Sequence, residues 1–205
     1  MAYIGNFPTD LGFSGINFKQ ETITKVTNTQ SGRAIRASIG STKFAGTLAF
    51  PSATVSEFRQ VQGFIAQCKG PLNEFDIVLP NISESQSPNA GVYTLTLTSN
   101  YSAGVDALNF TTTPLTGNVN VLKAGDLIRF SNHSKVYMCT TDINTDSAGT
   151  GVLNIAPNLV EAVTTAQTIT TNNTPIRMFL TNDLQEMGYT VDGFVTFELD
   201  VAEVL

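Results

Sequence analysis

The sequence predicts a mainly β protein with one helix and a second β-domain inserted into the first. Apolar and polar residues alternate along most of the chain, which is typical of half-buried strands. A helical spacing of apolar residues occurs convincingly in one stretch only. Residues 84–173 contain shorter strand-like pieces and are bordered by polar, turn-rich runs. We therefore expect one domain from residues 1–83 and 174–205, and an inserted domain from residues 84–173.

A long β-hairpin is predicted near the N-terminus. Residues 16–27 are rich in β-branched side chains, and residues 33–50 return as a second strand-like stretch. The turn signal Gln30-Ser31-Gly32 lies between the two stretches. Gly40 and Gly46 interrupt the second stretch, and we expect them to mark bulges or bends.

The predicted helix starts at a capping box. Thr54 and Glu57 have the spacing at which a hydroxyl and a carboxylate satisfy the free N–H groups of a helix start. One apolar stripe then follows at intervals of three to four, formed by Val55, Phe58, Val61, Ile65 and Cys68. Gly70-Pro71 ends the helix. We expect this stripe to lie on the protein's own sheet, with Cys68 as a small buried residue.

Further strands are predicted by the same alternation. A strand at Glu74–Pro80 follows the helix, and Asp192-Gly193 is a hairpin-turn dipeptide that precedes a strongly patterned last strand. In the insert, closely spaced strands are typical of a small barrel or sandwich. The predicted pieces are 92–98, 107–111, 118–122, 127–130, 135–140 and 151–155.

Charge and composition exclude several classes of protein. Of 205 residues, 14% are charged, and the net charge of −6 disfavours a protein that wraps nucleic acid. No segment has the ~18 consecutive apolar residues of a membrane span, and we expect the chain to be made in a cytoplasm without a secretory signal. Residues 1–70 contain seven basic and three acidic residues, a balance of +4, whereas residues 71–205 contain four and fourteen, a balance of −10. This asymmetry suits either a subunit that binds its copies head to tail or neutralisation within one monomer.

The sequence predicts no catalytic, cofactor-binding or metal-binding residues. The one histidine, His133, lies in a polar loop where we expect solvent exposure. The segment Asp142–Asp146 resembles the start of a calcium loop, but Ser147 and Leu153 stand where glycine and glutamate are required. An Asx-rich turn is the expected structure there. No phosphate-binding glycine loop and no nucleophile elbow occurs, and we expect that the protein is not an enzyme.

Three stretches resemble a family of bacteriophage tail-tip proteins, the distal tail protein or baseplate hub-adaptor family. The first is the strand Phe44–Pro51 followed by the helix Val55–Lys69, and the second is Gly70–Pro80. The third combines Val121–Asp126, Val136–Met138 and Gly151–Pro157, which are similar to an inserted barrel seen in such tail proteins. The resemblance implies a tail-tube-like β-sandwich or split barrel with one flanking helix, plus an inserted small β-barrel domain.

The resemblance also implies a function. Proteins of this family form a ring, typically of about six copies, that extends the tail tube and docks baseplate or receptor-binding components. The expected partners are further copies, other tail tube and baseplate proteins, and genomic DNA that passes through the lumen without specific binding. The expected location is the virion tail tip, after assembly in the host cytoplasm. Glu198 and Asp200 are candidate lumen-facing acids, since carboxylates repel DNA phosphates.

Two other functions remain open from the sequence. The insert could serve as a carbohydrate- or receptor-binding module, which exposed aromatic side chains near Tyr93, Tyr101 or Tyr137 would favour. Alternatively, the chain could be a tail tube or tail terminator subunit.

Overall fold

The computed structural model describes residues 1–38 and 42–204, and these divide into two compact units. The first unit contains Met1–Ile77 and Arg177–Leu205, and the second contains Val78–Ile176. Strands dominate both units, so the predicted mainly β fold class is confirmed.

The elements before the second unit are numbered in chain order. They are β1 (Tyr3–Asn6), β2 (Gly15–Glu21), β3 (Thr24–Asn28), β4 (Ala34–Ser38), β5 (Lys43–Ala49), β6 (Ala53–Thr54), α1 (Val55–Cys68), a 3₁₀ turn (Gly70–Leu72) and β7 (Glu74–Ile77).

The remaining strands continue this numbering. They are β8 (Thr94–Leu97), β9 (Ala107–Thr113), β10 (Asn120–Leu122), β11 (Leu127–Phe130), β12 (Val136–Cys139), β13 (Ile143–Asn144), β14 (Thr150–Ala156), β15 (Ile169–Thr170), β16 (Ile176–Leu180), β17 (Met187–Tyr189) and β18 (Phe194–Glu203).

The sheet of the first unit is organised around β18. The strand order is β1-β7-β16-β18-β5-β2, and β17 and β6 pair with the first residues of β18. Every second side chain of β18 is buried as far as Val201, because successive residues of a strand point to opposite faces. These buried residues are Val195, Phe197, Leu199 and Val201, and Ala202 and Glu203 at the end of the strand are buried as well. Thr196, Glu198 and Asp200 lie exposed on the other face, as the alternation predicts.

Helix α1 flanks this sheet through aromatic packing. The capping box is present, since the Thr54 side chain accepts from the Glu57 backbone N–H and the Glu57 side chain accepts from Thr54 N–H. The Phe58 ring lies 4.5 Å from the Phe197 ring of β18, and Phe197 stacks on Phe50 at 4.2 Å between centroids. Cys68 is buried at the last helical residue, after which Lys69 adopts a left-handed conformation at φ 53°.

The predicted hairpin is present and consists of two ladders. β2 pairs with β5 from Gly15↔Ala49 to Glu21↔Lys43, and β3 pairs with β4 from Thr24↔Ser38 to Asn28↔Ala34. Gly32 lies in the connecting turn at φ +79°. Gly40 lies outside the described residues.

The expected bulge at Gly46 is wrong. Its pairing with both neighbouring strands runs on without a shift in register. Glycine is needed there for another reason, because a Cβ would lie 2.6 Å from the backbone oxygen of Asn17. The residue therefore permits close approach of two strands.

One edge of the sheet is fixed by an arginine. Arg177 of β16 forms a bidentate pair with Asp76 of β7, with its Nε 2.6 Å from Oδ1. The guanidinium carbon also lies 4.1 Å from the centre of the Tyr3 ring of β1. The hydrogen bonds to Asp76 raise the pKa of Arg177. One side chain thus connects three neighbouring strands, including the parallel pair β1 and β7.

The second unit is a barrel-like sheet with its own core. The strand order is β15-β11-β12-β14-β9-β8, and the terminal strands β15 and β8 lie against each other, so that the sheet nearly closes. A separate ribbon pairs β10 with β13. The core includes the fully buried Leu108, Phe110, Phe130, Tyr137 and Leu153.

A buried carboxylate connects two loops of the second unit. Asp126 accepts hydrogen bonds from the Ser85 hydroxyl, from the Gln86 N–H at 2.9 Å and from the Lys123 N–H at 2.8 Å. Burial of a carboxylate without hydrogen-bond donors would destabilise the fold, and these three donors remove that penalty. The Lys123–Asp126 turn is therefore fixed to the polar run that precedes β8.

Two glycine variants test the packing of the first unit. We expect Gly46→Ala to lower the free energy of unfolding by about 1–3 kcal/mol, because the added methyl forces β2 and β5 apart. Gly63→Ala is the matched control, since Gly63 lies in α1 with open space where an added Cβ would lie, and helix propensity should raise stability by about 0.5–1 kcal/mol. Urea unfolding of both variants measures the difference. Equal stability of Gly46→Ala and wild type would contradict the close approach.

Candidate functional site

Chemistry-bearing side chains are dispersed in the structure. Within residues 1–38 and 42–204, no group of three or more His, Cys, Asp or Glu residues could hold a metal ion. Among the helices of the same residues, none is long and apolar enough to cross a membrane. The surfaces of the molecule therefore carry the functional argument.

The expected solvent exposure of His133 is found only in part. The ring is half-buried, because it packs edge-on to Tyr137 and its Nε2 lies 2.8 Å from the Tyr137 hydroxyl. Its Nδ1 lies 2.9 Å from the Asn132 side-chain oxygen. Burial lowers the pKa of His133. The histidine is thus held by hydrogen bonds within the loop between β11 and β12.

The segment Asp142–Asp146 is only partly the expected turn, because Ile143 and Asn144 form β13 and the turn follows at residues 147–149. Asp146 accepts from the backbone N–H groups of Ala148 and Thr150 and from the Thr150 hydroxyl. Asp142 pairs with the Lys123 ammonium at 3.1 Å and accepts from the Ala124 N–H. These hydrogen bonds lower the pKa of both carboxyl groups. Both carboxylates already have protein partners.

The three tyrosines of the insert are not exposed binding platforms. Tyr137 is fully buried, and its hydroxyl also accepts from the Val160 N–H. Tyr93 and Tyr101 are partly buried against the core, and the Tyr101 hydroxyl accepts from the Asn109 N–H at 2.7 Å. The exposed aromatic side chains that would favour a carbohydrate-binding module are therefore missing at these three positions.

Glu198 and Asp200 lie on the solvent face of the first unit's sheet. Asp200 accepts from the Thr47 hydroxyl at 2.7 Å and from the Asn182 side-chain amide at 3.1 Å, which fixes its carboxylate on the strand. Both acids line an open groove together with Asp183 and Glu186. No lysine or arginine is among the described residues that line it, so the groove carries negative potential.

The acidic surface continues into the chain that follows β16. We call residues 181–194 the acidic segment, since it contains Asp183, Glu186 and Asp192 and no basic residue. Large apolar side chains in this segment are exposed, with Leu184 at 73% and Val191 fully exposed. Tyr189 and Phe194 are also exposed. Exposed apolar side chains with polar residues around them are typical of a protein interface.

A basic surface lies at the distal part of the long hairpin. We call residues 22–38 the arm, which contains the ladder of β3 and β4. Every residue of these two strands is exposed, including Val26 at 59% and Ile35 at 56%. Lys25, Arg33 and Arg36 are its charged residues, and it contains no carboxylate.

Sequence reasoning predicted the long hairpin and the uneven distribution of charge, but it did not show that both faces of the arm and the apolar side chains of the acidic segment are exposed. The alternation of apolar and polar residues predicts which side chains share a face of a strand. It does not show whether another part of the protein packs on that face, as none of the described residues does on β3 and β4. A usable signal was present for the acidic segment, because no lysine or arginine follows Arg177 in the sequence.

Both cysteines are buried, and this gives a chemical test of the two cores. Burial raises the pKa of Cys68 to about 11 and that of Cys139 to about 12. Since the thiolate is the reactive form, we expect a thiol-reactive disulfide reagent at pH 8 to label the native protein about a hundredfold or more slowly than the urea-unfolded chain. Rapid labelling of either thiol in the native protein would contradict its burial.

Comparison with known families matches part of the second unit. Residues 90–174 match the family model of the distal tail protein pb9, B domain. This range lies within the second unit and covers less than half of the chain. No curated protein matches the chain. Residues 90–174 are therefore similar to the B domain of a phage distal tail protein, which confirms the resemblance to that family and supports a structural role in a phage tail.

Proposed function

We propose that the chain is a ring-forming structural protein of a phage tail tip or baseplate. The observation that carries the proposal is the match of residues 90–174 to a distal tail protein domain. In this proposal the first unit forms the ring, and the two compact units correspond to the two predicted domains. The protein acts by assembly and has no enzymatic activity.

The edges of the first unit's sheet support assembly into a ring. β1 and β2 are the terminal strands of the described sheet, and a terminal strand has backbone groups free for a further chain. Residues 1–70 have a net positive charge and residues 71–205 a net negative charge. A head-to-tail contact would therefore bring a basic surface of one copy against an acidic surface of the next. Repetition of one such contact closes a ring of about six copies.

The solvent face of β18 is the proposed wall of the lumen. Glu198 and Asp200 project from that face, and a ring of such carboxylates repels DNA phosphates. Genomic DNA would then slide through without specific binding.

The inserted unit is the proposed docking site for other proteins of the tail. It interrupts the first unit between β7 and β16 and has a separate core, so it can contact tail tube, baseplate or receptor-binding components without altering the ring. Such a protein belongs to the virion and is assembled in the host cytoplasm.

Native mass spectrometry with negative-stain imaging of the purified protein tests the ring. We expect one closed species of about six copies, with a central hole and a mass that does not grow with concentration. A polymer of indefinite length would instead identify a tail tube subunit. A monomer at all concentrations would overturn the ring.

Charge reversal tests the lumen. We expect rings of the double variant Glu198→Lys/Asp200→Lys to retain double-stranded DNA at low salt, whereas wild-type rings release it, because lysines attract the phosphates. Asp10→Lys is the control, since Asp10 is also exposed in the first unit. Gel retardation over a salt series gives the comparison. Equal retention by the control would contradict a lumen position, as would a reconstruction with both acids on the outside.

A further inference from the structure

We infer that the arm of one copy binds the acidic segment of the next copy, and that this contact is the one that closes the ring. The inference rests on the proposed ring and names the two surfaces that meet in it. The occupant of the acidic segment is thus a second copy of this chain.

The arm lacks a core within its own chain. An isolated two-stranded ribbon is marginally stable in water, because neither face buries apolar area. Every residue of β3 and β4 is exposed, and the cross-strand register places Val26 opposite Arg36 and Ile35 opposite Thr27. Each face of the ribbon therefore presents one large apolar side chain to water. Association with another surface supplies the burial that the arm needs.

The positive charge of the arm indicates what kind of surface can bind it. Lys25, Arg33 and Arg36 are exposed, and no described carboxylate forms an ion pair with any of them. A partner surface with several carboxylates and exposed apolar side chains would satisfy both properties of the arm.

The acidic segment has these properties. It carries three carboxylates against the arm's three cations, and it has no basic residue. Its exposed apolar side chains, Leu184, Tyr189, Val191 and Phe194, match the exposed Ile23, Val26 and Ile35 of the arm. The β17–β18 turn that presents Val191 and Asp192 is held by two backbone hydrogen bonds, Thr190 N–H to Phe194 O and Gly193 N–H to Thr190 O. This part of the acidic segment is thus already ordered in the unbound chain.

The two surfaces are different patches of one chain, so the contact is head to tail. Such a contact leaves one arm and one acidic segment unfilled until the last copy closes the ring. The contact uses Asp183, Glu186 and Asp192, and the first two line the same groove as Glu198 and Asp200. Because an arm bound there would lie beside the proposed lumen face, the DNA-retention test of Glu198 and Asp200 is scored only on rings that have assembled.

Two charge-reversed proteins test the contact. The arm variant is Lys25→Glu/Arg36→Glu, and the acidic-segment variant is Glu186→Lys/Asp192→Lys. All four residues are exposed, so we expect unchanged thermal unfolding of the monomer. Each variant alone should need at least about tenfold more protein to assemble, because like charges then meet at the contact. The matched control is Arg59→Glu/Lys69→Glu, which reverses two exposed basic residues outside the arm and should assemble like wild type.

Mixing the two variants gives the decisive result. The arm variant has two negative surfaces and the acidic-segment variant two positive ones, so each binds only the other. We expect an equimolar mixture to restore rings in which the variants alternate, as native mass spectrometry would show from their different masses. Loss of assembly without restoration would overturn the inference, and so would equal loss in the control.

Cross-linking gives a second, independent readout. In Val26→Cys/Val191→Cys, a short bismaleimide should join copies into a ladder that ends at the size of the ring, since the native thiols are buried. Neither single variant should give more than traces of dimer. Dimers from Val26→Cys alone would show an arm-to-arm contact and overturn the inference. If the arm variant forms rings as readily as wild type, the contact is rejected while the ring stands, whereas a monomeric wild type would reject the ring itself.

Discussion

The alternation of side chains along β18 is the constraint on which the first unit depends. One face of this strand packs Phe197 against Phe50 and the helix residue Phe58, and the other face holds carboxylates in water. A shift of one residue would bury Glu198 and Asp200 and expose the aromatic core, so the register is strongly specified. Because β5, β6, β16 and β17 all pair with β18, this register determines where every other strand of the sheet lies.

The arm shows the opposite condition. Its backbone ladder is complete, yet no part of the described chain covers either of its faces. Natural proteins seldom leave apolar ribbons exposed, because such ribbons associate without specificity. Cationic side chains on the arm would limit that association to partners of opposite charge. In the proposed ring the same residues would provide both solubility before assembly and selectivity during it.

Most of the correct predictions from the sequence came from patterns among neighbouring residues. The helix start at Thr54, the turn at Asp192-Gly193 and most strands of the insert were predicted, because capping and alternation act between neighbouring residues. Contacts between distant residues were not predictable in this way. The Asp126–Ser85 hydrogen bond joins residues 41 positions apart, and the His133–Tyr137 pair depends on how a loop folds back on a buried ring. The exposure of the arm escaped prediction for a related reason, since alternation describes a strand and not its surroundings.

The second unit enters and leaves the chain between β7 and β16, which are neighbours in the sheet. Such a junction has an evolutionary consequence. A connection between adjacent strands can be short, so an ancestor with a simple loop there would keep every strand pairing of the first unit. Recombination at this site can then exchange one module for another while the underlying scaffold stays intact.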